Sequence, residues 1–473
     1  MTELKDMKKN LFYKRINAWE TLSDVQIKET KDFNEKYKSF LNKSKTEREF
    51  ATNTLEMIKK EGFKSLKTAY SNKQTLQPGD KVYLENNNKT IIMAVIGKES
   101  ILNGINMIGA HIDAPRLDLK PLPLYEESDI AMLKTHYYGG IKKFHWVATP
   151  LSMHGIIIKN DGDKIDINIG EKENDPVFVI SDLLPHLAKD QYSKKIGEAI
   201  PGENLNVIIG SIPINDEDGS DKVKLTIMKL LNEKYGIFEK DFINGEIEIV
   251  PAYNAKDVGI DRGLIGAYGH DDRICSYTGL KAILDVGICD KTTLLYLSDK
   301  EEIGSVGNTG AQSDFLEYFV SLLNNLTLED SNDLTVKDIL YGSVMLSADV
   351  NAGFDPNFKN AYEVNNSTYL GRGVGIMKYT GSRGKAGASD ASGELMYKIT
   401  KLMDNNDIIW QIGELGKVDQ GGGGTIAKFA AKLGIEVVDV GIPLLNMHSP
   451  FEIASKVDVY MCYLAFKVFM KSL

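Results

Sequence analysis

A chain of 473 residues with 42% hydrophobic content exceeds one ordinary core and predicts about two or three domains. Its formal net charge of −10 excludes nucleic acid and anionic membranes as standing partners, because both would repel it at a distance. The three cysteines, Cys275, Cys289 and Cys462, are widely separated, which rules out a Cys-x-x-Cys metal site or a disulfide framework and predicts a reducing compartment. The charged N-terminal segment lacks the apolar core of a signal peptide, and no run approaches the roughly 18 apolar residues of a membrane span. The expected location is the cytoplasm.

Residues 23–61 carry apolar positions at helical spacing, among them Phe33, Tyr37, Phe40 and Leu41, with few breakers before Gly62. They predict one or two surface helices. From about residue 80 the texture turns to strands, at 81–85, 89–96 and 105–110, the last running directly into His111. That last run is short, almost wholly apolar and ends in polar residues, as a buried central strand of an α/β sheet does. Between 114 and 255 strands and turns dominate, with Gly139-Gly140, the turn at 160–162, Gly170 and an acidic loop at 215–219, which predicts an inserted β-rich domain. Strand and helix signals then alternate: a helix at 273–286, a strand at 293–297, a helix at 311–326, strands at 342–348 and 436–442, and a final helix at 456–471. Alternation of this kind implies an α/β fold with a mainly parallel sheet covered by helices. The expected division is a catalytic domain in two parts, 1–113 and 256–473, interrupted by 114–255.

Open α/β sheets bind ligands beyond the carboxyl ends of their strands. The residues that follow each apolar run are of one chemical kind. After 105–110 come His111 and Asp113, two places apart and so on one face, where one can ligate a metal and the other orient the ring. After 293–297 come Glu301 and Glu302, adjacent carboxylates that point in different directions and suit a division between metal binding and proton transfer. Asp349 follows 342–348, and His448 follows the strand near 442. Gly269-His270-Asp271-Asp272 precedes a helix, a suitable place for a carboxylate shared by two cations. Each feature alone has a plainer explanation: an Asp before a helix is usually a cap, a Glu-Glu pair a solvated face. Their joint occurrence at strand ends points instead to two divalent ions, zinc, cobalt or manganese, roughly 3.5 to 4 Å apart, able to hydrolyse an amide.

The segments Gly109-Ala-His111-Ile-Asp113-Ala-Pro115, Asp299-Lys-Glu301-Glu302-Ile-Gly-Ser305, Ser347-Ala-Asp349 and Met447-His448-Ser449, with Lys45-Thr-Glu-Arg-Glu49 upstream, resemble the aspartyl aminopeptidase family of dinuclear zinc exopeptidases. The resemblance spans nearly the whole chain. It implies that His111 and Asp349 hold one zinc, Glu302 and His448 the other, and Asp271 bridges them, with Glu301 as general base and Asp113 orienting His111. It also implies that the inserted domain serves dimerisation, that subunits close into a homo-oligomer such as a tetrahedral dodecamer, and that the substrates are peptides. Where relatives often carry Leu-Asp-Asn, this chain has His270-Asp271-Asp272, so Asp272 rivals Asp271 for the bridge. Relatives place a histidine into a neighbouring subunit's active site, and the nearest candidate here is His145. Lys378 stands where the family sets a basic group for acidic N-terminal side chains, which makes a preference for aspartate or glutamate an expectation.

Gln420-Gly-Gly-Gly-Gly-Thr425 lacks the Gly-Lys-Ser/Thr of a phosphate loop and reads as a tight turn near the metal site. No Gly-x-Ser-x-Gly elbow is present, which argues against a serine nucleophile. Two other functions remain to be separated from an aminopeptidase: a two-metal amidohydrolase or deacylase, and a non-catalytic shell-forming scaffold.

Overall fold

The computed structural model describes residues 2–215 and 219–472; residues 216–218 of the acidic loop lie outside them. A nine-stranded mixed sheet organises the chain. Its centre is four parallel neighbours, in the order Thr292–Ser298, Ile105–His111, Val344–Ala348 and Glu436–Gly441. All four therefore end at the same edge of the sheet. Their near-continuous apolar sequences follow from cover on both faces. Met107, Leu294, Tyr296 and Met345 face one buried cluster, while Ile108, Ala110, Leu295, Leu297 and Leu346 face the other, with the period of two that a strand imposes. Helices Phe315–Thr327 and Asp333–Tyr341 close the first face, and His270–Asp285 and Lys456–Ser472 the second.

Next to the central four the sheet turns antiparallel, and its outermost pair on each side is parallel again. Lys81–Asn86 and Thr90–Val95 form a hairpin whose turn holds Asn87 and Asn88 in the left-handed region, φ 54 and 53, which asparagine tolerates. Val374–Met377 pairs antiparallel with Glu436–Gly441 at the other side. The stretch read as surface helix resolves into two, Asp24–Leu41 and Glu47–Lys60, each opened by a capping box.

A separate six-stranded, wholly antiparallel sheet is built from Arg116–Glu127, Ile130–Tyr138, Leu151–Ile158, Lys164–Ile169, Val207–Gly210 and Gly245–Pro251. It encloses its own buried cluster around Leu117, Trp146 and Ile249. The longest helix there, Lys222–Tyr235, departs from the strand-and-turn reading, as do the single turns Lys189–Tyr192 and Ile196–Ala199. Val223, Ile227 and Leu231 recur every fourth residue and pack on that cluster, but β-branched residues disguise the helical period. Charged pairs tie the first turn of Glu47–Lys60 to this sheet: Lys45 Nζ lies 2.6 Å from Glu171, Glu47 faces Arg116 at 3.3 Å, and Glu49 meets His154 at 2.7 Å.

A third sheet of five short strands includes Leu264–Ala267, Pro443–Leu445 and Glu452–Ser455. It carries the turns that deliver Asp271 and His448 to the open edge of the central sheet.

Candidate metal centre

His111 is the last residue of its strand and is buried. Its Nδ1 lies 3.1 Å from the Asp113 carbonyl oxygen and 3.2 Å from Asp113 Oδ1. Both partners can only accept, so Nδ1 carries a hydrogen, and Nε2 is the nitrogen turned toward Asp271. Asp113 in turn accepts from Glu301 N at 3.1 Å, Glu302 N at 3.2 Å and the Tyr138 hydroxyl at 2.8 Å. Burial would raise its pKa, but His111 and Tyr138 outweigh that and hold the carboxyl below its ordinary value.

His448 arrives by another route. The chain leaves Pro443–Leu445, and Asn446 and His448 take left-handed φ angles of 60 and 63. Its backbone N–H donates to Glu452 Oε1 at 2.7 Å, and its Nδ1 donates to the Gly140 carbonyl at 2.9 Å. The Nε2 atom again faces the cavity. Asp271 sits between the two rings, with Oδ1 3.3 Å from His111 Nε2 and Oδ2 3.3 Å from His448 Nε2. Its own N–H donates to Glu452 Oε2 at 3.1 Å, so one buried glutamate anchors the backbone of both residues. Gly269 makes the approach possible: its φ is +76, and a Cβ there would stand 2.0 Å from Arg273 Nη1.

Glu302 Oε2 lies 3.4 Å from His448 Nε2, and Asp349 Oδ1 lies 3.9 Å from His111 Nε2. Glu301 Oε2 is 4.0 Å from the same nitrogen. Burial, with the charges of Asp113 and Asp271 against those of the histidines, pushes Glu301 up to about 7. Around these side chains opens a cavity of about 420 Å³, walled by Met377, Leu415, the glycines 422–424 and Lys428. The glycine-rich turn therefore reaches the site, as its sequence suggests. Thr425 pins it by donating to the buried Asp439 at 2.6 Å.

The donor set fits divalent cations. Two groups of potential ligand atoms share His111, one completed by Asp271 and Glu302 and the other by Asp272 and Asp349, and within each group the atoms lie within 4.8 Å of one another. His111 Nε2, Glu302 Oε1 and both Asp272 oxygens are buried with no hydrogen-bond partner. Burial and mutual repulsion drive Glu302 and Asp349 well above the ordinary carboxylate range, a charge load that cations of plus two would relieve. Asp272 thus joins the cluster as a donor beside Asp271. His270, between glycine and aspartate in sequence, does not join it: its ring meets the Tyr37 hydroxyl at 2.8 Å, and burial lowers its pKa to about 3.

Two expected residues stand elsewhere. Lys378 is exposed and absent from the cavity wall, since strand alternation turns Met377 inward instead; the lysine at the rim is Lys428. His145 packs edge-on against Phe144 in a neighbouring hollow with Thr149, Tyr253 and Ser449. Sequence reading missed Glu452, Tyr138 and Gly140, whose only signal is long-range pairing.

The Aminopeptidase I zinc metalloprotease (M18) family matches residues 40–470. A probable M18 family aminopeptidase 1 of Clostridium acetobutylicum is 49% identical over 456 residues, covering 96% of this chain and 98% of the relative. The crystal structure of an M18 family aminopeptidase from Thermotoga maritima is similar with a TM-score of 0.92 and 44% identity, covering 98% of this chain and 100% of that one. The S. cerevisiae mApe1 dodecamer shares the fold at 22% identity and a TM-score of 0.75, covering 93% of this chain and 97% of that one. With histidines and carboxylates from separate strand ends gathered about one cavity, this chain belongs to the M18 family of zinc aminopeptidases.

Proposed function

We propose that the protein removes N-terminal residues from peptides at a centre of two divalent cations, zinc foremost, with cobalt or manganese able to substitute. The observation that carries this reading is Asp271, which presents one oxygen to each histidine at 3.3 Å. His111 and Asp349 would hold one cation, Glu302 and His448 the other, with Asp271 between them. Asp272 is an additional donor on the His111 side. When bound, such a pair supplies Lewis acidity toward the scissile carbonyl and acidifies water.

The chain's own groups supply the rest. Glu301 accepts the proton of the attacking water and returns it to the departing amine, the work of a carboxylate within reach of the reacting water. Asp113 fixes the His111 tautomer, and the Gly140 carbonyl does the same for His448. Met377, Leu415 and the glycine-rich turn form the wall against which the N-terminal side chain rests. A preference for acidic side chains would fall to Lys428, whose ammonium has no carboxylate partner among the described residues.

Residues 1–113 and 256–473 are assigned to the catalytic domain and 114–255 to an inserted dimerisation domain in a tetrahedral dodecamer. Its separate core and the exposed apolar side chains Leu187, Tyr192, Ile196 and Ile212 support that assignment, as does the dodecameric yeast fold neighbour. In the assembly His145 would serve a neighbouring subunit's cavity. The three free, buried cysteines suit the cytoplasm.

Metal analysis coupled to turnover tests the reading: about two equivalents of metal, loss of activity on chelation and recovery with zinc, cobalt or manganese are expected. Activity that survives complete metal removal refutes it. Cleavage of N-acetylated peptides at rates matching free ones would favour the deacylase.

A further inference from the structure

We infer that the segment Tyr138–Gly140, where the antiparallel sheet ends against the metal cavity, is a clip that positions both histidine ligands at once. The inference rests on the two-histidine metal centre proposed above.

Three contacts leave three consecutive residues in one direction. The Tyr138 hydroxyl donates to Asp113 Oδ2 at 2.8 Å, while Asp113 Oδ1 takes the hydrogen of His111 Nδ1 at 3.2 Å. The Gly140 carbonyl accepts from His448 Nδ1 at 2.9 Å. Between them, Gly139 passes so close to Glu302 that a Cβ would stand 3.3 Å from its Cβ and 3.4 Å from Oε2, in a backbone with φ +73 that only glycine enters freely. A Cβ on Gly140 would stand 3.1 Å from His448 Nδ1. The double glycine is therefore more than a turn: its missing side chains let the backbone touch the second half of the site.

The clip is held from behind. The Arg116 guanidinium lies 3.9 Å from the centre of the Tyr138 ring, and Arg116 itself is fixed by Glu47 and Glu248 at 3.3 and 3.1 Å. Tyr138 ends the strand Ile130–Tyr138, whose partner Arg116–Glu127 begins directly after Pro115. Partners that orient a ligand through its second hydrogen bond typically matter 10- to 100-fold in metal affinity or activity, about as much as the ligands' immediate surroundings can give. On this inference the metal centre is incomplete without the antiparallel sheet, although every metal ligand belongs to the rest of the chain.

Zinc affinity by chelator competition, measured on the full chain with Tyr138→Phe, Gly140→Ala and the control Tyr137→Phe, is the test. Tyr138→Phe keeps the ring under Arg116 and removes one hydroxyl. It should weaken zinc binding roughly tenfold or more and lower kcat with KM little changed, while the melting temperature of the metal-free protein stays at the wild-type value. A merely structural role would do the reverse, lowering that melting temperature and leaving zinc affinity alone. Gly140→Ala should weaken zinc binding without touching Asp113, and decides the matter if the other variant does not fold. Tyr137, an exposed neighbour, should change nothing. Zinc affinity and kcat within twofold of wild type in the folded variants overturn the clip, and so does an equal loss in the control. A wild-type chain that binds no zinc overturns the metal centre itself.

Discussion

His154 offers a measurement of how firmly the antiparallel sheet is joined to the helix Glu47–Lys60. Its ring is buried between two carboxylates, with Nδ1 2.7 Å from Glu49 Oε1 and Nε2 3.0 Å from Glu171 Oε1. Two acceptors on opposite nitrogens require both to carry hydrogens, so the ring is an imidazolium. Burial works against that charge, but the hydrogen bonds to Glu171 and Glu49 prevail and raise its pKa. Its contribution to stability is therefore whole below the unfolded value of about 6.5 and is lost as pH climbs through the raised folded value. Glu171 runs oppositely. Burial would raise it, yet His154 and Lys45 hold it down at about 2, so its contribution is present above its ordinary range and lost as pH falls toward 2. A shift of that size corresponds to roughly 3 kcal/mol, and partial solvent access reduces it to about 2 kcal/mol.

His154→Gln keeps a polar side chain but has one donor nitrogen, which cannot stand at both ring-nitrogen positions that meet Glu49 and Glu171. Urea unfolding of both proteins, in equal metal, should give a deficit of about 2 to 3 kcal/mol near pH 6, where wild type holds two charge-assisted bonds. Once pH has climbed through the raised folded value, the wild-type ring has lost its second donor, and the deficit should shrink to about 1 kcal/mol. A deficit of the same size at both pH values would refute the imidazolium bridge.

Glu301→Gln should retain its full metal complement and lose nearly all turnover, about 100-fold or more; single-turnover rates beside metal analysis check it. Glu452→Gln exchanges one acceptor for a donor that confronts a backbone N–H of Asp271 or His448, and zinc should leave it at least tenfold faster in a chelator chase. Lys428→Ala should cut kcat/KM for aspartyl and glutamyl substrates about two- to fivefold relative to leucyl ones, the value of a modest exposed charge pair. Equal effects on acidic and apolar anilides would remove Lys428 as a selector.

The parts of the centre that could be read from sequence share a physical cause. A parallel sheet buried on both faces demands uninterrupted apolar strands, so the polar residue that ends each run stands out, and His111, Asp349, Glu301 and Glu302 all lie at such ends. The helix Lys222–Tyr235 was hidden for the opposite reason: Val223, Thr226 and Ile227 favour strands locally, and only contact with the antiparallel sheet decides for the helix. Lys378 lies off the cavity wall because adjacent residues at a strand end face opposite ways, and the choice between Met377 and Lys378 depends on which face meets the cavity.

What orients the ligands could not be read along the chain at all. Gly140 and His448 are 308 residues apart, and Asp271 and Glu452 are 181 apart. A carbonyl has no residue identity, and a lone glutamate in a strand has no local mark. The ambiguity between Asp271 and Asp272 belongs to the same class. Both are buried carboxylates before one helix, and sequence offers only their order. In the folded chain Asp271 spans the two rings with one oxygen each, while Asp272 turns toward His111 and Asp349. Exchanging their roles would take from His448 Nε2 its 3.3 Å partner and leave it Glu302 at 3.4 Å. The placement of Asp271 between the two rings is thus set by where Glu452 and Gly140 hold the backbone of Asp271 and the ring of His448, which is a property of three sheets meeting and not of any single motif.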